Sequence, residues 1–265
     1  MQSLVSTYPR QKKSEEADLS AVKTLRKALA ILDALAVAER PLTIAEVAAR
    51  TGITRPTAHR LIQTLLGEGY LAQDPEDGRI APGYSVLQLA SSLLDTNQLR
   101  LESLPHLESL ARTSGERVNL GILHRHQMLY IAGVEKPSLP MIYSRFGKTA
   151  PAYCSAIGKS ILAHLRESEL RAYLQYQTLV RYTETTLADE AALRTELAEI
   201  RRRGFATDNE EHTPGMCCIG APILVQGSPV AALAVVGRSL ESLLAYTDPI
   251  QHTAEVISHV LSRGS

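Results

Sequence analysis

The chain contains no tryptophan, two phenylalanines and three cysteines in 265 residues, and its 28 Lys/Arg are balanced by 28 Asp/Glu. Each scarcity excludes something. Three cysteines cannot form a disulfide framework, and with no signal-peptide pattern at the start they point to a reducing, cytoplasmic compartment. No apolar run is long enough to span a bilayer, which argues against a membrane partner. Zero net charge removes bulk electrostatics as an announcement of nucleic acid. Residues 1–83 alone carry 11 Lys/Arg against 10 Asp/Glu, so any DNA-binding claim must rest on local placement. With 45% hydrophobic residues the chain can bury a large core, and its length suits two domains.

The most informative stretch is Thr43 to Leu71. Thr43, with Glu46 three residues on, has the spacing of a capping box, and Ile44, Val47 and Ala48 form one face of a short helix ending at Gly52. Thr54 then caps a second helix with Pro56 in its first turn. Ala58, Leu61, Ile62, Leu65 and Leu66 fall on one side of it, while Pro56, Thr57, Arg60 and Gln63 lie on or beside the other. Such a short-chained, hydrogen-bonding, cationic face suits the reading helix of a helix-turn-helix, whose N-terminal half enters the major groove. An ordinary helical hairpin with a solvated polar face would show the same pattern. The flanks favour the first reading. Leu25, Leu29, Leu32 and Leu35 stripe an upstream helix, and DPEDGR after Leu71 is a turn between two short strands, with Arg79 where a wing could reach a phosphate. The DNA-contacting candidates are therefore Thr43, Thr54, Arg55, Thr57, Arg60, Gln63 and Arg79, and the partner is a double-stranded operator.

The polar residues 1–20 are expected to form a mobile tail, residues 21–83 a winged helix-turn-helix, and residues 84–103 a linker helix. Tyr84 to Leu101 carries Val86, Leu87, Ala90, Leu93 and Leu94 on one stripe, which a lone helix buries best against a second copy of the chain. Leu104 to Ser114 reads as another helix. From Glu116 the period changes: RVNLGILHRHQMLYIAGVE alternates about a turn at His124 to Gln127, and MIYSRFG reads as a third strand. Helices follow at about Ala156, at Asp189 to Arg203 and at Pro249 to Leu261, and Cys218 to Val225 with Val230 to Val236 forms a buried hairpin. Residues 104–265 are thus an α+β domain.

The chain resembles the IclR family of bacterial transcriptional regulators from about Val22 onward. The resemblance rests on GFATDNEEHTPGMCCIGAPI (204–223), where Gly204, Asp208, Glu211, Cys218, Ile219 and Gly220 match the family pattern. Leu224-Val225 depart from its usual aromatic-or-His then Asp-or-Asn ending. A second match is RFGKTAPAYCSAIGKSILA (145–163) with its Gly158-Lys159 pair. The resemblance implies a GAF-like effector-binding domain, dimers that pair into tetramers, no cofactor, and control by a small metabolite. It carries the effector-lining positions onto Leu139, Ile142, Ala150, Ala156, Ile157, Asp208, Met216, Cys218, Ala234 and Val236. Ala156 and Ile157 at a helix start favour a carboxylate. Relatives binding very small keto acids carry hydroxyl side chains where this chain has Ala234 and Val236, so an organic acid with an apolar or aromatic body is expected.

Several residues admit a second reading. Asp208 either touches ligand or holds the loop over the pocket. Cys218 is a small core or pocket group or a reactive thiol, but as Cys217's neighbour on a strand it points to the opposite face, which opposes a disulfide or shared metal ligation. His212 with Asp208 and Glu211 lacks a metal-ligand pattern, so no metal is expected. Lys159 is expected at the surface. An enzyme using Cys218 and His212, or a sensor acting through protein contacts alone, are the remaining alternatives. Neither the sign of regulation nor the effector's identity can be read from the sequence.

Overall fold

The computed structural model describes residues 22–135 and 146–263. The tail expected over residues 1–20 therefore lies outside the described residues, as do Leu139, Ile142 and most of MIYSRFG. The chain divides into two compact units that meet at Asn97/Gln98.

The first unit opens with α1 (Lys23–Ala36), α2 (Ile44–Thr51) and α3 (Arg55–Gly67), followed by β1 (Leu71–Gln73) and β2 (Ile80–Pro82). The capping box at α2 is formed: the Glu46 amide donates to Thr43 Oγ1 at 3.2 Å, and the Thr43 amide donates to Glu46 Oε2 at 2.7 Å. Gly52 stops the helix with φ +67°, a left-handed conformation that costs glycine nothing. At α3 the expectation needs amending. Thr54 occupies the cap position, but its hydroxyl bonds Thr57 Oγ1 at 3.0 Å and caps no amide. The core is built from Ile31, Leu35, Val47, Ala58, Ile62, Leu71 and Ile80, each fully buried apolar side chain contributing roughly 1.5–3 kcal/mol. Ile31 and Leu35 are thus the inward side of α1, whereas Leu25 and Leu29 are 57% and 50% exposed, a correction to the upstream stripe. The antiparallel β1–β2 ribbon pairs Leu71 with Pro82 and Gln73 with Ile80, completing a winged helix-turn-helix.

The last helix of this unit, α4 (Tyr84–Thr96), contains no buried residue. It ends earlier than expected. The break falls at Asn97, and α5 (Gln98–Ser114) then runs unbroken through Pro105, so no separate helix starts at Leu104.

The second unit is a six-stranded antiparallel sheet in the order β5-β4-β3-β8-β7-β6. Its strands are β3 (Arg117–His124), β4 (Gln127–Val134), β5 (Thr149–Pro151), β6 (Ala206–Asn209), β7 (Cys217–Val225) and β8 (Ser228–Gly237). Arg125 and His126, at φ +48° and +66°, make the two-residue turn between β3 and β4, a geometry whose twist matches that of the strands. Alternation along β7 and β8 separates two cores. Cys217, Ile219, Ala221, Leu233 and Val235 face α5 and the closing helices α9 (Leu240–Leu244) and α10 (Thr247–Arg263). Cys218, Ala232 and Ala234 face α6 (Ala156–Leu162), α7 (Glu167–Tyr176) and α8 (Glu190–Arg203). Cys217 and Cys218 accordingly sit on opposite faces, as strand geometry requires. The architecture is α+β, a winged helix-turn-helix with a GAF-like domain.

Candidate functional sites

In the first unit, α3 presents Arg55, Arg60 and Gln63 to solvent, with Thr57 half-buried. Neither arginine has an ion-pair partner among the described residues, so both charges are available on that face. The other cations nearby are engaged. Arg40 Nη2 lies 2.6 Å from Glu46 Oε1. Arg79 Nη1 lies 3.3 Å from Glu46 Oε2 and 3.2 Å from the Pro41 carbonyl, with its Nε 3.1 Å from Asp77. Hydrogen bonds from Arg40 and then from Thr43 hold the Glu46 carboxyl down at about 2. Arg79 therefore ties the wing to the start of α2, and Thr43 is occupied as a cap.

In the second unit the pocket-facing side of the sheet opens into one cavity beneath the start of α6. All eight described positions that the family resemblance singled out line it: Ala150 on β5, Ala156 and Ile157 on α6, Asp208 on β6, Met216 and Cys218 leading into and along β7, and Ala234 and Val236 on β8. Five further residues complete the wall: Asn119, Tyr130, Ser155, His212 and Thr213. Asn119 had a sequence signal. It stands between Val118 and Leu120 in a strand whose two faces are both buried, where a polar side chain needs either a partner or a cavity. The cavity holds about 400 Å³ free of atoms, part of it open to solvent, and its enclosed part has room for about one or two waters.

The wall is set by close packing. Gly158 lies so near the preceding 3-10 turn that an added Cβ would fall 2.2 Å from the Ala152 carbonyl oxygen. At Gly220 on β7 a Cβ would meet the Ala156 carbonyl oxygen at 2.8 Å. Only glycine at both places lets the start of α6 lie on the sheet. Ser155 Oγ accepts the Gly158 amide at 3.1 Å. The Ala156 and Ile157 amides, at the first two helical positions, have no acceptor within the helix.

Behind the wall is a buried ion pair. Lys159 is 1% exposed and bonds Glu211 Oε1, which corrects its expected surface position. Among the described residues Glu211 Oε2 has no hydrogen-bond partner. Burial pushes the Glu211 carboxyl up, against the opposing pull of Lys159. The Glu211 amide donates to Asp208 Oδ1 at 2.8 Å, and the Thr186 hydroxyl donates to the Glu211 carbonyl at 2.6 Å. Asp208 thus holds the loop, as one of its two readings expects, and it also lines the cavity.

Cys154, against the same group, is pushed up to about 12 by burial and then by the Asp208 and Glu211 charges, and a thiol so placed is a poor nucleophile. His212 Nδ1 sits 3.1 Å from Thr213 Oγ1, and its ring packs edge-on to Tyr182. Among the described residues, no group of three His, Cys, Asp or Glu could hold a metal ion.

Comparison with known proteins matches residues 91–259 to the family described as bacterial transcriptional regulator IclR C-terminal, and residues 24–75 to the IclR helix-turn-helix domain. The chain is 35% identical over 246 residues to the HTH-type transcriptional regulator BhcR of Paracoccus denitrificans, covering 91% of this chain and 88% of that one. It is 32% identical to the transcriptional repressor IclR of Escherichia coli, covering 82% and 80%. The crystal structure of the Thermotoga maritima IclR superimposes with a TM-score of 0.67 at 32% identity, covering 90% of this chain and 98% of that one. An IclR homolog from Microbacterium hydrocarbonoxydans complexed with 4-hydroxybenzoate superimposes with a TM-score of 0.76 at 24% identity, covering 91% and 100%. These relatives are regulators, which sets aside the reading of Cys218 and His212 as enzyme residues. The chain belongs to the IclR family of bacterial transcriptional regulators.

Proposed function

We propose that the C-terminal cavity binds a small organic acid with an apolar or aromatic body, and that its occupancy sets how tightly the α3 face, above all Arg55, Thr57 and Arg60, holds operator DNA. The carrying observation is the cavity's polarity. Ala156 and Ile157, the first two residues of α6, share the cavity wall with Ala150, Ala234 and Val236, and no lysine or arginine takes part in it. Backbone N–H groups at a helix start favour a carboxylate. The apolar wall favours a hydrocarbon body over a two- or three-carbon keto acid. That a protein of the same fold has been solved with 4-hydroxybenzoate supports the compatibility of this architecture with an aromatic acid. The room now free is too small for a ring, so entry has to displace wall side chains, and half-buried Met216 is the most adaptable of them. Leu139 and Ile142 remain proposed members of the wall on the family resemblance alone.

The operator partner places the protein's work in the cytoplasm, and no described helix is long and apolar enough to cross a membrane. A gel-shift titration tests the reading directly. Addition of the right acid is expected to change apparent operator affinity by roughly 5–150-fold, the range of a 1–3 kcal/mol coupling. Arg60→Ala with an unchanged melting curve is expected to weaken operator binding by about 1–3 kcal/mol. Unchanged binding by Arg60→Ala would move the reading face elsewhere. Affinity indifferent to aliphatic and aromatic acids alike would end the effector assignment.

The same proposal includes a dimer, and tetramers as pairs of dimers. Leu87 and Leu93 on α4 are 64% and 61% exposed, and Leu25 and Leu29 on α1 are similarly bare. Large apolar side chains left on two helices of one small unit call for a partner surface, and a second copy satisfies the paired half-sites of a helix-turn-helix. Sedimentation of a Leu87→Glu/Leu93→Glu variant is expected to show the species reduced in mass relative to the parent protein. An unchanged distribution would exclude α4 from the interface.

A further inference from the structure

Asn119 sits in the middle of β3 and is 4% exposed. It lies on the floor of the cavity, yet its carboxamide makes no hydrogen bond to any described residue. A carboxamide offers one acceptor and two donors, and those of Asn119 are turned to the cavity. Its surroundings keep it bare. In the sheet Asn119 pairs with Gly133 on one side and Ala234 on the other, the two smallest neighbours available. A Cβ at Gly133 would fall 2.8 Å from Asn119 Oδ1, so the carboxamide lies against the bare backbone of Gly133. A polar group that lines a cavity and is not engaged by the fold is the pattern of a binding residue rather than of a core residue.

The register also says where Asn119 stands relative to the proposed carboxylate site. Ala234 pairs with Asn119 on one side and with Gly220 on the other, and Gly220 is the residue against which Ala156 is packed. Asn119 and the start of α6 are therefore two strand spacings apart along the sheet, roughly 10 Å. Allowing a hydrogen bond of about 3 Å at each end, a ligand spanning them carries its two polar groups several bonds apart.

We propose that Asn119 reads a second polar group on the effector, so that the acid this pocket takes is a hydroxy- or oxo-acid whose extra oxygen lies remote from the carboxylate. The inference rests on the organic-acid reading above and narrows it. The apolar body lies between the two ends, against Ala234 and Val236, and Asn119 donates to the remote oxygen or accepts from a remote hydroxyl.

The test is isothermal titration of the full-length protein with benzoate, 2-hydroxybenzoate and 4-hydroxybenzoate, and with pentanoate and 4-oxopentanoate, for the parent chain, Asn119→Leu and Asn119→Ala. In the parent chain the 4-substituted acids are expected to bind about tenfold more tightly than the unsubstituted ones, the worth of one hydrogen bond, and 2-hydroxybenzoate no better than benzoate. Both variants are expected to lose that preference while keeping the parent acids' affinity. Asn119→Leu is also expected to melt at the same temperature or higher, because it breaks no hydrogen bond within the fold, whereas a merely structural asparagine would leave the variant less stable. Acids that bind the parent chain without preference, or a preference that survives both variants, would overturn the inference and leave the organic-acid reading intact. No binding of any of these acids to the parent chain would overturn both.

Discussion

Lys159→Ala is expected to lower the unfolding free energy of the C-terminal unit by about 3–5 kcal/mol, the cost of stranding one member of a buried ion pair. Lys159 and Glu211 are both buried, at 1% and 6% exposure, and among the described residues Glu211 Oε2 is already without a partner. Removing the ammonium leaves a carboxylate with neither water nor counter-charge. Thermal denaturation should show a drop of roughly 10 °C for a unit of this size. Burial raises the folded-state Glu211 carboxyl, so this group's stabilising contribution is complete below its unfolded value and disappears as pH rises through the raised one. The deficit of the variant is therefore expected to be smaller near pH 5 than near pH 8. A paired Lys159→Met/Glu211→Leu replacement is expected to recover most of the loss, since apolar residues of similar volume often replace a buried pair without penalty. Melting of Lys159→Ala at the parent temperature would mean that the pair adds nothing.

Gly158→Ala is expected to be the most damaging single methyl in the pocket wall. Its Cβ would lie 2.2 Å from the Ala152 carbonyl oxygen and 2.4 Å from the Ala152 Cα, and neither is the yielding end of a side chain. Either the turn at Ala152–Cys154 or the first turn of α6 has to move, at a cost of about 1–3 kcal/mol or more. The same movement carries the Ala156 and Ile157 amides away from the cavity, so acid binding is expected to fall further than stability does. Gly67→Ala is the control, because nothing lies within 4 Å of that added Cβ and its φ is ordinary. In a helix it should be neutral or stabilising by up to about 1 kcal/mol. Calorimetric titration and melting of the two variants side by side separate packing from any general intolerance of alanine.

What could be read in advance was what depends on neighbours in sequence. The Thr43–Glu46 cap, the turn at Gly52 and the buried hairpin of β7 and β8 are short-range devices, and the structure contains each of them. The cavity positions were legible by a different route, through family resemblance, and not from periodicity. Features set by distant partners were hidden. Leu25 and Leu29 look as apolar as Ile31 and Leu35, and only the placement of α2 and β2 decides which pair is covered. Lys159 looked like a surface residue because its partner stands 52 positions away. Likewise, nothing in the local spacing separates Arg79, engaged with Glu46 33 positions away, from the unpaired Arg60. The break at Asn97 has no local signal, because the apolar stripe of α4 leads directly into α5, and α5 runs on through Pro105.

The position of β8 beside β3 has a temporal meaning. Arg117–Gly121 pair with Ala232–Val236, so the middle of the sensing sheet cannot close until synthesis has passed Val236. The winged unit, complete by Asn97, waits for none of this. During each round of synthesis there is thus an interval in which the reading head exists and its sensor does not. A chain truncated before Gly237 would prolong that interval indefinitely, leaving a DNA-reading unit deaf to the metabolite.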